Sequence, residues 1–277
     1  MLDALRHFLL IVEHQTFTEA ARRAHLSQPA LSGSIRRLEE AMEARLFTRG
    51  RSGAELTAAG AALMPHARAS LAAWEDARRA VAEIEGLHVG EVRIGAGATA
   101  CTYLLPAQLA AFRERHPGVR FLLRETTTSE ALDALHDGEL DLAIISEAML
   151  HEDAPRGDLW MADELILVAA PTIDVAKAPF LTFRRGTTTR ELFDHYFPSA
   201  DVVMELGSIA AVKGNVRAGI GVALVSENAV MDDLRRGLMV AVPDPRTPIT
   251  REIRVVHRGT ARLSPAASAL LRQLTLH

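Results

Sequence analysis

Gln28, Ser32, Arg36 and Arg37 occupy one short stretch and together carry the chemistry needed to hold nucleic acid. Amide and hydroxyl side chains bond base edges, and guanidinium groups one and two turns further along grip phosphate oxygens. Two short helices joined by a tight turn, over Phe17–Leu38, would position them. Thr18 reads as the N-cap of the first helix, whose Ala20, Ala21 and Ala24 let a second helix press close. Leu26-Ser27 makes the turn. Ser27 caps the second helix, with Pro29 inside its first turn, where a missing N–H costs nothing. Leu31, Ile35 and Leu38 then share an inward face. Pro29, Gly33, Arg36 and Arg37 share the outward one, with Gln28 and Ser32 on its flank. This is a helix-turn-helix candidate; the competing reading is a plain helical hairpin with a solvated Arg face. Leu46–Leu56 holds two glycines between short apolar ends, the pattern of a small hairpin. As a wing, it would bring Arg49 and Arg51 to phosphate or the minor groove.

A second group of polar residues falls at the carboxyl ends of short apolar segments, where open α/β sheets bind their ligands. Those ends are Ala98–Thr102, Thr126–Thr128, Ser146, Arg184–Thr187, Gly207–Ser208 and Ser226. Hydroxyls, helix N-termini and Arg184 or Arg185 are equipment for an anion. Thr99, Thr102, Thr127 and Ser208 with one of those Arg would hold a small carboxylate or inorganic oxyanion, with Ala100, Cys101, Ser146 and Gly207 beside them. The competing reading is that the Ser and Thr residues merely cap helices.

The elements that must position these groups can be read along the chain. Leu5, Phe8, Leu9 and Val12 form a stripe that predicts a helix over Asp3–His14. Thr57 caps a long helix to about Gly86, on which Met64, Ala67, Leu71, Trp74, Ala77, Val81 and Ile84 form a seam. Pro65 should bend its first turns. The seam suits a dimer, since a helix-turn-helix reading a two-fold site needs two copies; packing on the chain's own domains is the alternative. Beyond Gly86 and Gly90 the texture changes. Strands at Val92–Ile94, Val119–Leu123, Asp141–Ile145 and Leu165–Ala169 alternate with helices at Tyr103–Arg115 and Ser129–Asp137, a mainly parallel arrangement. Past Pro171 come strand Phe180–Phe183, helix Thr189–Phe197, strand Val202–Leu206, helix Ser208–Ala218 and strand Val222–Val225. Strands near Leu238–Val242 and Ile253–His257 and a helix over Pro265–Leu274 close the chain. The expected fold is mixed: a winged helix-turn-helix over 1–58, a linker and dimerisation helix over 59–88, and a two-lobed α/β domain over 89–277.

Composition bounds the function. The 277 residues are 48% hydrophobic with a formal net charge of −4. Residues 1–86 carry 11 Arg against 11 acidic residues, so positive charge there is clustered rather than net. Clusters matter more than net charge for phosphate contact. The lone Cys101 excludes an internal disulfide and fits a reducing cytoplasm. It would lie by the pocket, as a redox sensor or, without a resolving partner, as a small buried apolar residue. No apolar run reaches membrane-spanning length, and Met1–Val12 does not read as an export leader. The 11 His fall at no metal-ligand spacing, so no metal or cofactor is expected. Gly95-x-Gly97-x-x-Ala100 follows a strand and opens a helix, as in dinucleotide-binding enzymes, with Glu125 placed like a ribose-binding acid. No proton-transfer constellation accompanies it, and the helical preface has no role in such an enzyme. A solute-binding protein would share the two lobes but not that preface.

Ser27-Gln28-Pro29-Ala30-Leu31-Ser32, Ile35-Arg36-Arg37-Leu38-Glu39, Leu46-Phe47-Thr48-Arg49 and Leu56-Thr57-Ala58-Ala59-Gly60 together resemble the LysR-type transcriptional regulators. Gly219-Ile220-Gly221-Val222-Ala223-Leu224-Val225 resembles part of that family's effector domain. The resemblance implies a periplasmic-binding-protein-like effector domain that takes small molecules between its lobes. It also implies a homodimer or homotetramer on promoter DNA near a T-N11-A element. By motif position, Gln28, Pro29 and Ser32 would approach bases, with Thr18 and Ser27 nearby, while Arg36, Arg49 and Arg51 would contact backbone. Gly33 departs from the larger residue common in the family.

Overall fold

The computed structural model describes residues 1–50, 53–84, 90–147 and 157–275. The chain forms two compact units, one made chiefly by the elements up to the long helix and the other by everything after it.

In the first unit, α1 (Leu2–His14), α2 (Phe17–Arg23) and α3 (Gln28–Met42) are followed by the antiparallel hairpin β1 (Phe47–Gly50) and β2 (Gly53–Leu56) and by α4 (Ala58–Ile84). Phe8 and Ile11 of α1, Ala20 and Ala21 of α2, and Leu31, Ile35 and Leu38 of α3 are buried together with Leu46. The inward stripe of α3 is thus the one expected from its spacing. Phe47 of the hairpin sits 5.2 Å from Phe8 and 5.7 Å from Phe17, closing the aromatic end of this core. Thr57 caps α4 by accepting the Gly60 amide at 3.0 Å. A Cβ at Gly60 would collide with the Leu46 carbonyl, which explains why a glycine closes Leu56-Thr57-Ala58-Ala59-Gly60.

Two expectations are corrected here. The cap of α2 is Thr16, whose hydroxyl accepts the Glu19 amide at 3.3 Å; Thr18 is exposed within the helix. The turn into α3 starts earlier than Leu26-Ser27, because His25 takes a left-handed conformation (φ 54°). The seam of α4 divides into a buried and an exposed stretch. Ala67 is buried, and Met64 and Leu71 pack on the helix-turn-helix core, whereas Trp74, Ala77 and Val81 are exposed.

The second unit contains β3 (Glu91–Ala96), a π turn (Ala100–Leu104) running into α5 (Leu105–Arg115), β4 (Arg120–Glu125), α6 (Thr128–His136) and β5 (Leu142–Glu147). Then come β6 (Asp158–Ala169), β7 (Phe180–Phe183), α7 (Thr188–Tyr196), β8 (Val202–Leu206), α8 (Ile209–Arg217) and β9 (Val222–Ser226). The unit ends with α9 (Glu227–Arg235), β10 (Val240–Ala241), β11 (Ile249–Val256) and α10 (Pro265–Thr275). The strands lie in the order β4-β3-β5-β11-β6-β9-β7-β8, with β10 beside β6. β3 runs parallel to β4 and β5, and β7 runs parallel to β8 and β9. Between these parallel halves, β6 and β11 run antiparallel to each other and to their outer neighbours β9 and β5. The sheet is therefore mixed, not mainly parallel, because two strands return through its middle and join the lobes. One lobe buries Ile94, Leu105, Phe112, Leu142 and Leu270; the other buries Val212, Val225 and Val230 together with Leu181. The α9 helix was not legible as a separate element, since it follows Ser226 with no glycine or proline break.

Candidate DNA-reading helix and effector cavity

At the start of α3, Ser27 accepts the Ala30 amide at 3.3 Å, which satisfies one of the orphan N–H groups of the first turn. Ser27, Gln28 and Pro29 are exposed and Ser32 half-buried, so the polar N-terminal end of the helix faces outward. Ser34, one position past Gly33, is instead buried and bonds the His7 ring at 2.8 Å, fixing α3 against α1. A Cβ at Gly33 would meet only the Arg37 guanidinium, at 3.8 Å. Packing thus does not require glycine there, and its effect is to leave the outward face flat.

The arginines of this unit divide by partner. Arg22 and Arg23 bond the Glu19 carboxylate at 2.8 and 3.1 Å. The Arg22 hydrogen bond is the main reason the Glu19 carboxyl falls to about 2. Arg45 bonds Glu39 at 3.1 Å, and Glu39 also accepts the Leu46 amide. No carboxylate among the described residues pairs with Arg36 or Arg37, and both are exposed. Their charge remains available to phosphate, whereas that of Arg22, Arg23 and Arg45 is largely matched within the head. Arg49 lies on β1 with a side chain outside the described residues, and Arg51 lies outside them altogether.

In the second unit, a cavity of about 110 Å³ opens where the parallel strands of both lobes end. Seven of the nine expected residues line it: Thr99, Ala100, Thr127, Ser146, Arg184, Gly207 and Ser208. Thr102 and Cys101 do not. Successive residues on a helix diverge by about 100°, so Thr99 and Ala100 can face the cavity while Thr102 is exposed. The Cys101 thiol donates to the Ala96 carbonyl at 3.3 Å, and burial pushes its pKa up to about 11. Its contact with the Ala96 carbonyl and its packing against the core favour the small apolar reading over a reactive thiolate.

Helix starts surround this cavity. Thr127 accepts the Glu130 amide at 3.3 Å, and Glu130 returns the bond to the Thr127 amide at 2.7 Å, a closed capping box. Thr187 caps α7 and Ser208 caps α8, accepting amides at 3.3 and 3.2 Å. These hydroxyls therefore cap helices and line the cavity at once. Ser226, expected at a strand end, is buried and donates to Asp163 at 2.6 Å instead.

Sequence reasoning missed Thr188, Thr189 and Arg251, all of which line the cavity, and placed Thr126 at a strand end without counting it among the ligand residues. Thr126 Oγ1 and Ser146 Oγ are buried with no hydrogen-bond partner among the described residues. Such groups cost free energy unless something bonds them; both residues line the cavity, but the two oxygens themselves are shielded from it. Arg251 lies on the antiparallel strand β11 opposite Asp163 of β6, where the rule about parallel strand ends does not look. The visible signal was alternation: Arg251 falls in phase with the buried Ile249, Ile253 and Val255, and Asp163 in phase with Leu165 and Leu167.

Comparison with known proteins agrees with this arrangement. Residues 2–61 match the model of the bacterial regulatory helix-turn-helix protein, lysR family, and residues 85–277 match that of the LysR substrate binding domain. The chain belongs to the LysR family of DNA-binding transcriptional regulators, which are not enzymes. A probable RuBisCO transcriptional regulator of Nostoc sp. is 30% identical, the match covering 99% of this chain and 87% of the relative. The HTH-type transcriptional regulator CfxR of Cupriavidus necator is 31% identical, over 100% and 91% of the two chains. The structure of Vibrio fischeri DarR in complex with DNA superposes with a TM-score of 0.60 at 21% identity, covering 100% of this chain and 99% of that one. The glycine pattern at Gly95 and Gly97 accordingly marks a packing and cavity-lining turn, not a dinucleotide site. A Cβ on Gly95 would strike the Leu140 side chain, and Gly97 lines the cavity.

Proposed function

We propose that this regulator binds a two-fold promoter element of the T-N11-A type through α3 in paired copies, and that a small anionic effector in the cavity controls that binding. The observation that carries the DNA reading is the pair Arg36 and Arg37, exposed and without carboxylate partners, one and two turns beyond Gln28, Pro29 and Ser32. Base contacts fall to Gln28, Pro29 and Ser32 at the capped helix start, and backbone contacts to Arg36 and the wing Arg49 and Arg51. Pairing uses the exposed half of the α4 seam, with Trp74 and Val81, in a dimer or a tetramer. On this reading the head spans 1–58, the linker helix 59–88 and the effector domain 89–277, in a cytoplasmic protein.

The effector reading is supported by a hydroxyl-lined cavity ringed by helix N-termini, with Arg184 at its edge. An effector that binds one lobe arrangement more tightly than another shifts the population of DNA-bound geometries by that difference. RuBisCO promoters, the subject of the curated relatives, are the first fragments to try.

The test is a mobility-shift titration across a range of salt. Arg36→Ala is expected to weaken DNA binding on all sequences and to lower the slope of log K against log salt by about 1, as for one lost phosphate contact. An unchanged slope and affinity would remove α3 from the DNA interface.

A further inference from the structure

We infer that Arg251 sets the hydrogen-bond polarity of the effector cavity, making it a site for an acceptor-only ligand, an inorganic oxyanion or a carboxylate. The inference rests on reading this cavity as the effector site and specifies what that site will accept. Arg251 is 4% exposed at its side chain, and Asp163 beside it is fully buried. Arg251 Nε donates to Asp163 Oδ2 at 2.8 Å, and Nη2 lies 2.7 Å from the same oxygen. Asp163 is fixed in turn by Ser226 and Asn228, which donate to its other oxygen at 2.6 and 2.9 Å. The guanidinium therefore cannot turn.

Its remaining contacts reach into both lobes. Nη1 donates to Thr189 Oγ1 at 3.1 Å, in the first turn of α7, and Nη2 donates to Thr99 Oγ1 at 3.3 Å, at the start of the π turn. A guanidinium has donors only, so both threonine hydroxyls must accept from it. Each hydroxyl then has its own proton to place, and neither has an acceptor among the described residues. Thr99, Thr189 and Arg251 all line the cavity. Thr126 and Ser146 line the same walls, but their hydroxyl oxygens are shielded from the cavity. Two hydroxyl protons, on Thr99 and Thr189, thus lack an acceptor among the described residues beside one small cavity.

Charge alone does not select the ligand. Asp163 matches Arg251, and Glu125 shares the walls with Arg184. Direction does: a ligand of oxygen acceptors satisfies these donors, and a donor-rich ligand leaves them unmade.

The test uses the full-length protein, with calorimetric titration of sulfate and of acetate as the inorganic and carboxylate probes. Methylammonium and erythritol serve as donor-only and mixed probes, all at matched ionic strength. Sulfate, acetate or both are expected to bind saturably in preference to the other two, and the stronger anion shows which source the site suits. Thr99→Val and Thr189→Val keep shape but remove one donor each, and should weaken that anion about tenfold apiece, roughly one hydrogen bond to a charged group. Arg251→Gln combined with Asp163→Asn keeps a neutral, hydrogen-bonding pair but no longer forces the threonines to accept. It should retain the fold by circular dichroism and lose most of the preference for the anion over erythritol.

Anion binding that ignores the threonine variants, or a double variant that keeps the preference, would overturn this role of Arg251 while leaving an anionic effector in place. Preference for methylammonium or erythritol, or no binding by any probe at tens of millimolar, would overturn both this inference and the anionic reading. DNA retention measured on the same preparations tests the regulator reading separately.

Discussion

Thr16 and Thr18 differ by one turn of reasoning and by a measurable stability. Thr16-Phe17-Thr18-Glu19 contains the spacing of a capping box, and Thr16 takes the amide side of it by accepting the Glu19 N–H. The Glu19 carboxylate leaves the box open and turns to Arg22 and Arg23 instead. Thr16→Ala should therefore speed native-state hydrogen exchange in α2 by the equivalent of about 1 kcal/mol. Thr18→Ala, at an exposed first-turn position, should stay within about 0.5 kcal/mol; the opposite order would restore Thr18 as the cap. At this scale, residues read from local pattern were legible: Ser27 as a cap, Ser208 at a helix start, Thr127 and Arg184 at the cavity. Arg251 was not, because its meaning comes from Asp163, 88 positions away, across a strand pairing that no local pattern announces.

The long helix carries the element-scale lesson. Its heptad-like seam looks uniform in sequence, yet Ala67 is buried under the helix-turn-helix while Trp74 is 46% and Val81 60% exposed. One periodicity serves an intramolecular core first and leaves an apolar stripe afterwards, and periodicity alone cannot mark where one use ends. The two halves should respond differently to substitution. Ala67→Leu overpacks a closed site and should destabilise the head by about 1–3 kcal/mol. Trp74→Glu should shift sedimentation toward monomer and leave the head melt within about 0.5 kcal/mol. An unaltered sedimentation profile would place the dimer contact elsewhere. The sheet shows the same limit. Each parallel half was readable from alternating strands and helices, because its crossovers are local. The antiparallel return of β11 between β5 and β6 was not, since a strand's neighbours in the sheet are not written in its own residues. That return strand is the one that carries Arg251 to the cavity.

For the whole molecule, the proposed function joins a DNA-reading helix to an anion-sized cavity by way of pairing. DNA recognition of a two-fold element requires two heads at a fixed spacing, so a ligand can act on transcription simply by changing which spacing is populated. Effector class and DNA reading are separable in experiment, and the DNA reading comes first because the rest depends on it. The most direct measurement is pulldown of genomic fragments by the purified protein, followed by footprinting of the enriched fragment. Protection over two half-sites about one helical turn apart, lost in Arg36→Ala or Ser32→Ala, is the expected result. No enriched fragment at low salt, or a footprint that both variants leave unchanged, would contradict the assignment of α3 as the reading element.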